Sequence, residues 1–468
     1  MMKKIIIFFV CVSLMLLSAC SDWIDVNPKT DVESEEMFTS EDGFKSALIG
    51  IYVRMTDVSL YGGELSYNFL EKLVQRYDNN EEDEGIRAKI YDYKNQESSK
   101  NIIATIWYNM YQTIANINNL LANIEERGEN IITPGYKELI KGEALGLRAF
   151  HYFDLLRMWG PIYSQNPNAL TVPFRDKFNS EKIVLMPANL LVEKILKDLL
   201  DAEKLLVNDS VNWNNDLSNP FEGERGYRMN KYAVKALLAR VYLWIGDKDN
   251  AARYAKDVID NSGLSLVRDN QVDVSFHGET LFGLSMYNMS EKLGAYWRPN
   301  FPFNNELWIS DENLQTVFEM LTCGINDIRY KNGYGFIHGD NQNMCRKYLG
   351  EDVRFDENIP LMRLAEMYYI LAESVSLEES VDYINAIRNV RGISRMYDVV
   401  YDESFTEGDR KEILMKEYQK EFFAEGQFFY FLKRHNYTTF YRCPVDKMLY
   451  YVFPLPEEEV EFGGVSVQ

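Results

Sequence analysis

The 468-residue sequence predicts a mostly α-helical scaffold of helix hairpins, with long loop-rich insertions and few short strands. Three observations predict it. Apolar residues recur at helical spacing in one segment after another. Residues 231–262 read as helix, tight turn, helix. Strand-like alternation is sparse, with Thr280 to Ser285 and Tyr450 to Phe453 the best short candidates.

Taken in order, residues 101–125 carry a stripe of Ile103, Ile106, Met110, Ile114, Ile117 and Leu121. In 144–159, Leu145, Ala149, Tyr152, Leu156 and Trp159 step by four and three, which places them on one helix face. Gly160-Pro161 stops that helix. In 190–206, Leu191, Ile195, Leu199, Ala202 and Leu206 repeat the pattern, and segments 361–375 and 411–434 continue it. Residues 231–262 set Ala239 and Tyr242 on a first helix and Ala251, Ala255 and Val258 on a second, joined at Gly246-Asp247. Small residues at the crossing let two antiparallel helices approach closely, which is the logic of a tetratricopeptide-like hairpin. Residues 361–392 offer a looser copy. The pairs 107–125 with 137–159, and 188–206 with the helix after 228, offer others.

Composition narrows the function. Apolar residues make up 46% and charged residues 26%, the balance of a folded globule. The net charge of −21 repels phosphate backbones, so no nucleic-acid partner is expected. Four His and five Cys leave little material for a His/Cys metal site. No GxSxG elbow, HExxH, P-loop or CxxC pair occurs. Residues 333–339 miss the dinucleotide-binding glycine spacing by one. His151 sits on an apolar helix and reads as a core histidine. Arg148, Asp154 and Arg157 share a helix and read as buried bridges or solvated charges. Carboxylate pairs of the kind used in glycoside hydrolysis stay open, because 71 acidic residues always allow pairs.

The first residues set the address. Lys3 and Lys4 precede an apolar run from Ile5 to Leu17, too short to span a membrane but suited to a signal peptide. Leu17-Ser18-Ala19-Cys20 has the form of a bacterial lipobox, in which the leader (1–19) is removed and Cys20 becomes the lipidated N-terminus. Several acyl chains anchor a protein stably where one does not. Residues 20–35 are polar and fit a tether. Of the remaining thiols, Cys323, Cys345 and Cys443, a Cys323–Cys345 bridge and buried free thiols are both open.

A family resemblance runs over nearly the whole length. It is carried by the lipobox with Asp22-Trp23-Ile24-Asp25-Val26-Asn27-Pro28, by residues 142–160 (GEALGLRAFHYFDLLRMWG), and by Ala239-Arg240-Val241-Tyr242-Leu243. Further along it is carried by Arg363-Leu364-Ala365-Glu366-Met367-Tyr368, Asn385-Ala386-Ile387-Arg388, residues 416–422 (KEYQKEF), Glu425-Gly426-Gln427, Leu432-Lys433-Arg434 and residues 453–459 (FPLPEEE). The chain resembles the SusD/RagB-type surface lipoproteins with which Bacteroidota capture nutrients. It departs from their common pattern at Tyr418 and at Gln427-Phe428, where arginines are frequent, which marks a divergent branch.

The resemblance implies a single domain over 20–468, a lipid anchor on the outer membrane at the cell surface, and a SusC-like TonB-dependent transporter as partner. It also implies a non-catalytic role, with a glycan or sometimes a peptide as ligand. The helical scaffold would occupy about 36–56, 101–160, 187–262 and 360–468, and ligand-facing insertions about 57–100 and 280–350. A surface glycoside hydrolase and a peptide- or protein-binding helical-repeat module are the alternatives.

The insertions mix aromatic rings with Asn, Gly and Asp. Sugar rings stack their apolar faces on π surfaces while flanking polar groups pair with hydroxyls. Tyr61, Tyr77, Tyr296, Trp297 and Trp308 are therefore the ring candidates, with Asn68, Arg76, Asp78, Arg298 and Asn300 as polar partners. The alternative for each ring is to pack a loop onto the scaffold. Trp107, Tyr152, Trp159, Tyr242, Trp244, Tyr368 and Phe423 read as core. Residues 78–84 (DNNEEDE) are rich enough in oxygen to hold Ca2+ but lack the EF-hand spacing, and no cofactor is expected.

Overall fold

The computed structural model describes residues 36–78, 93, 97–178, 184–214, 219, 221–269, 271, 273–289, 291–293, 307–348, 357–443 and 451–461. The leader, Cys20 and the tether lie outside them. The protein is mostly α-helical. Helix α1 spans Glu41–Met55, α2 Phe69–Leu73, α3 Glu97–Ile131 and α4 Tyr136–Trp159. The hairpin strands β1 (Leu170–Pro173) and β2 (Leu185–Pro187) lead into α5 (Ala188–Leu205). Then come α6 (Lys231–Ile245) and α7 (Lys248–Asn261).

The apolar stripes do what their spacing dictates. Ile103, Ile106, Met110, Ile114, Ile117 and Leu121 are all buried on α3. Helix α4 is buried along nearly its whole length from Gly142 to Trp159, packed by α3 on one side and α5 on the other. Its end is pinned by Trp159, whose ring lies edge-on to Trp107 (centroids 5.0 Å) and Phe453 (5.5 Å) and whose Nε1 donates to the Pro454 carbonyl at 2.9 Å. Such ring pairs add about 0.5–1.5 kcal/mol each beyond area burial.

The α6–α7 hairpin forms as its sequence predicts. Gly246 takes φ +85°, a left-handed turn that L side chains resist. Asp247 then caps α7 by accepting from the Asn250 N–H. Helix α7 packs on α9 (Leu364–Ser374), which pairs with α10 (Leu377–Val390) to continue the series. Residues 361–363 depart from the expected helix. They end strand β7 (Asn358–Arg363), which pairs antiparallel with β3 (Thr280–Ser285), so ladder hydrogen bonds satisfy their backbone and the helix begins only at Leu364.

Between these elements lies a small antiparallel sheet, β4 (Trp308–Ile309), β5 (Phe336–Ile337) and β6 (Asn343–Cys345), with β6 in the middle. Helix α8 (Asp311–Val317) follows β4 directly. The chain ends with α11 (Glu407–Glu421), α12 (Gln427–Arg434) and α13 (Glu457–Glu461). Residues 451–453 form no strand, and Tyr450 lies outside the described residues. Cys323 and Cys345 are buried free thiols, with no bridge between them. Among the described residues no helix is long and apolar enough to cross a membrane.

A buried charge network locks the β4–β6 insertion to the scaffold. Arg363, at the end of β7, donates to Glu279 (2.6 Å), Glu421 (2.7 Å) and Glu425 (2.8 Å). Arg391 donates to Glu279 and Glu421 at 2.7 Å each. Arg329, from the insertion, reaches Glu417 and Glu421 at 3.0 Å. Burial alone would raise the Glu421 carboxyl, but Arg391, Arg363 and Arg329 outweigh it and hold it well below the usual range.

Candidate functional site

Asp78 is the point where three distant stretches of chain meet. Its N–H donates to the Trp308 carbonyl at 2.7 Å. Its carboxylate accepts from the Ser310 N–H at 2.7 Å and from the Asn313 amide at 2.9 Å to both oxygens. Arg442 ion-pairs with the same carboxylate and donates to the Tyr77 carbonyl at 3.2 Å. Tyr441 donates its hydroxyl to Asn313 Oδ1 at 2.8 Å, and its ring is 39% exposed. The result is a polar floor (Asn313, Arg442) beside an exposed ring (Tyr441) and a half-buried one (Trp308).

Local rules explain how these residues are held. Ser310 caps α8 by accepting from the Asn313 N–H, which fixes Asn313 in the first turn. Asn343, buried on β6, donates to the Ile309 carbonyl (3.0 Å) and to Asp311 (2.7 Å), and so sets where α8 begins. Trp308 stands opposite Met344, which stands opposite Ile337, giving an apolar row across the sheet. Gln75 (φ 57°), Asn341 (φ 58°) and Arg442 (φ 66°) all adopt the left-handed region without being glycine. For Gln75 and Arg442 this costs on the order of 1–2 kcal/mol each, whereas Asn visits the region readily.

The structure corrects part of the ring assignment. Tyr61 is 2% exposed, and its hydroxyl donates to Asp154 at 2.8 Å. Tyr77 is 5% exposed, donates to the Tyr67 carbonyl at 2.8 Å and lies edge-on to Phe423. Both rings are enclosed by core, so neither offers a face to a ligand. Asn68 is buried against Glu64, and Arg76 is buried with Glu71 and stacked on Phe428. Asp78 belongs to the site, but its carboxylate is committed to three protein donors, Ser310, Asn313 and Arg442, so it positions Asn313 instead of reaching outward. Trp308 is half-buried, packed in part against the core. Tyr296, Trp297, Arg298 and Asn300 lie outside the described residues, as do residues 79–84 of the acidic run. Among the described residues no group of His, Cys, Asp and Glu could hold a metal ion.

Asn313, Tyr441 and Arg442 were not legible as site residues. Nothing local marks Tyr441-Arg442, which follow the last long helix and meet Asp78 only through the tertiary fold. The helical charges take the structural option. Arg148 pairs bidentately with Asp198 (2.7 and 2.8 Å), and Arg157 pairs with Asp154. At the divergent positions Gln427 accepts from Arg157 at 3.1 Å, and the Tyr418 ring lies 4.4 Å from that of Phe431. His151 donates Nδ1–H to the Leu147 carbonyl at 2.7 Å while its Nε2 is buried without a partner. Burial pushes its pKa down to about 4.

Comparison with known proteins gives a consistent result. Residues 22–243 match the family described as starch-binding and associating with the outer membrane, and residues 346–460 match the SusD family. A SusD-like protein of Formosa agariphila is 22% identical over 94% of this chain and 93% of its own length. A SusD superfamily protein of Bacteroides thetaiotaomicron superposes with a TM-score of 0.68 at 23% identity, covering 91% of this chain and 98% of its own. A crystal structure titled a putative sugar binding protein, from Bacteroides vulgatus, gives a TM-score of 0.61 at 23% identity, covering 83% and 85%.

Proposed function

The chain belongs to the SusD family, and from this we propose that it captures a saccharide at the cell surface and passes it on without chemical change. The observation that supports the reading is the Asp78 junction. There Trp308 and Tyr441 set rings beside Asn313 and Arg442. Rings of this kind take the apolar face of a sugar, and an amide beside a guanidinium takes its hydroxyls. The junction holds these groups before any ligand arrives, which reduces the ordering cost of binding.

The finer parts of the proposal rest on the family. Cys20 would carry the lipid anchor on the outer membrane. A SusC-like TonB-dependent barrel would receive the ligand. The deciding experiment is a titration of the purified protein with a panel of neutral oligosaccharides, repeated with Trp308→Ala and Tyr441→Ala. Saturable binding that both changes weaken is expected. Release of shortened products during long incubation would overturn the non-catalytic reading.

A further inference from the structure

Arginines in this protein are almost all engaged. Among the described residues only Arg268 and Arg395 have a guanidinium with no hydrogen-bond or ion-pair partner; the others pair as, for example, Arg240 with Glu366 or Arg434 with Glu373. Both line the same cleft, a space of about 810 Å3 between the stretch after α7 and the end of α10. Among the described residues no carboxylate lines it. In a chain of net charge −21, two uncompensated cations facing one acid-free cleft are the feature that needs an explanation.

The rest of the lining is mixed. Ser265, Ser394 and Asn389 supply hydroxyl and amide groups, and the half-buried ring of Tyr368 joins leucine, isoleucine and valine side chains. Asn389 donates to Asp398 at 3.1 Å, which leaves its carbonyl oxygen as an acceptor. The end of α10 would disfavour an anion if its carbonyls were bare. They are not: Ile387 accepts from the Arg391 N–H at 2.9 Å, Arg388 from Ile393 at 2.9 Å and Asn389 from Gly392 at 3.1 Å.

We propose that this cleft is a second binding site, separate from the Asp78 junction, for an anionic saccharide bearing carboxylate or sulfate groups. Two guanidinium groups take the anionic oxygens, and the hydroxyl and amide groups take the sugar hydroxyls. The choice of a saccharide over another anion rests on the carbohydrate-binding reading above; the charge selectivity does not.

The test is calorimetric titration of the purified protein with a uronic-acid oligosaccharide, a sulfated oligosaccharide and a neutral oligosaccharide of the same length. The double variant Arg268→Gln/Arg395→Gln and the pair Trp308→Ala/Tyr441→Ala are titrated alongside. Both arginines are exposed, and an unchanged melting temperature confirms that the first variant is folded. Binding of at least one acidic oligosaccharide is expected to weaken by about tenfold or more in the arginine variant, and to fall with added salt. It is expected to survive in the aromatic variant. Three outcomes overturn the proposal: no binding of either acidic oligosaccharide, binding that the arginine changes leave intact, or inorganic sulfate binding as tightly as the sulfated sugar. Failure of neutral binding to respond to the aromatic changes counts against the Asp78 site and leaves this one standing.

Discussion

The Lys433 ammonium lies 2.7 Å from the Gly160 carbonyl, across 273 residues of chain. It also donates to the Arg157 carbonyl at 2.6 Å. A fully buried lysine thus closes the end of α4, satisfying carbonyls that the helix leaves open. Lys433→Met keeps the bulk and removes the donors. Leaving buried carbonyls unpaired is expected to cost about 3 kcal/mol, read as a lower urea midpoint with an unchanged slope. An unmoved midpoint would show that the cap is dispensable.

Asp78 is expected to act through the groups it holds. Asp78→Ala should loosen Asn313 and Arg442 together and weaken neutral saccharide binding about tenfold, close to the combined effect of changing either one. Tyr441→Phe removes only the bond to Asn313 and should weaken binding less than Tyr441→Ala. Equal losses in both Tyr441 variants would place the hydroxyl, not the ring, at the ligand.

His151 makes stability depend on pH. Its folded pKa is about 4, against 6.5 for an ordinary imidazole. The unfolded chain therefore binds the proton first as pH falls. The stability due to neutral His151 is complete above pH 6.5 and is lost as pH falls from there towards 4, by up to roughly 3 kcal/mol. Urea midpoints measured at pH 7.5, 5.5 and 4.5 should fall more steeply for the native protein than for His151→Gln. Parallel curves would exclude the effect.

Glu421 works in the opposite chemical sense. Its carboxyl is held below the ordinary 4.5, so its contribution is complete above about pH 4.5 and is lost as pH falls through the folded value. Glu421→Gln leaves three buried guanidinium groups short of charge and is expected to cost about 3–5 kcal/mol at neutral pH. Differential scanning calorimetry at pH 7 measures it.

Gly426→Ala should be poorly tolerated. Gly426 takes φ +69°, and a Cβ there would lie 2.4 Å from the Leu65 carbonyl oxygen. Its N–H donates to buried Glu71 at 2.8 Å, so the backbone has no room to retreat. A loss of more than about 2 kcal/mol is expected, whereas Gly50→Ala, at an exposed position in open space within α1, should gain about 0.5–1 kcal/mol. Comparable melting temperatures for the two variants would contradict this.

Helical order was legible because periodicity is a local property. The stripe on α3 and the Gly246-Asp247 turn follow from spacing and from glycine's conformational freedom. Strand β7 was not, because Ile359, Leu361 and Met362 adjoin an apolar helix and their pairing with β3 lies about 80 residues away. Tyr61 and Tyr77 illustrate the limit for the site. A tyrosine in a polar loop reads the same whether its ring faces solvent or core, and only the tertiary partners Asp154 and Tyr67 decide. The departures at Tyr418 and Gln427 were visible as changes of residue type, but not the ring packing and the Arg157 contact that take the arginines' place.

Asp78 takes donors from residues 232, 235 and 364 positions further along the chain. A chain still being synthesised therefore has no junction until Arg442 has been made. A copy clipped between α12 and Tyr441 would keep most of its helices and lose the junction. On the proposed reading, capture is conditional on the segment that carries Tyr441 and Arg442, and a titration with sugar doubles as a test that this segment is in place.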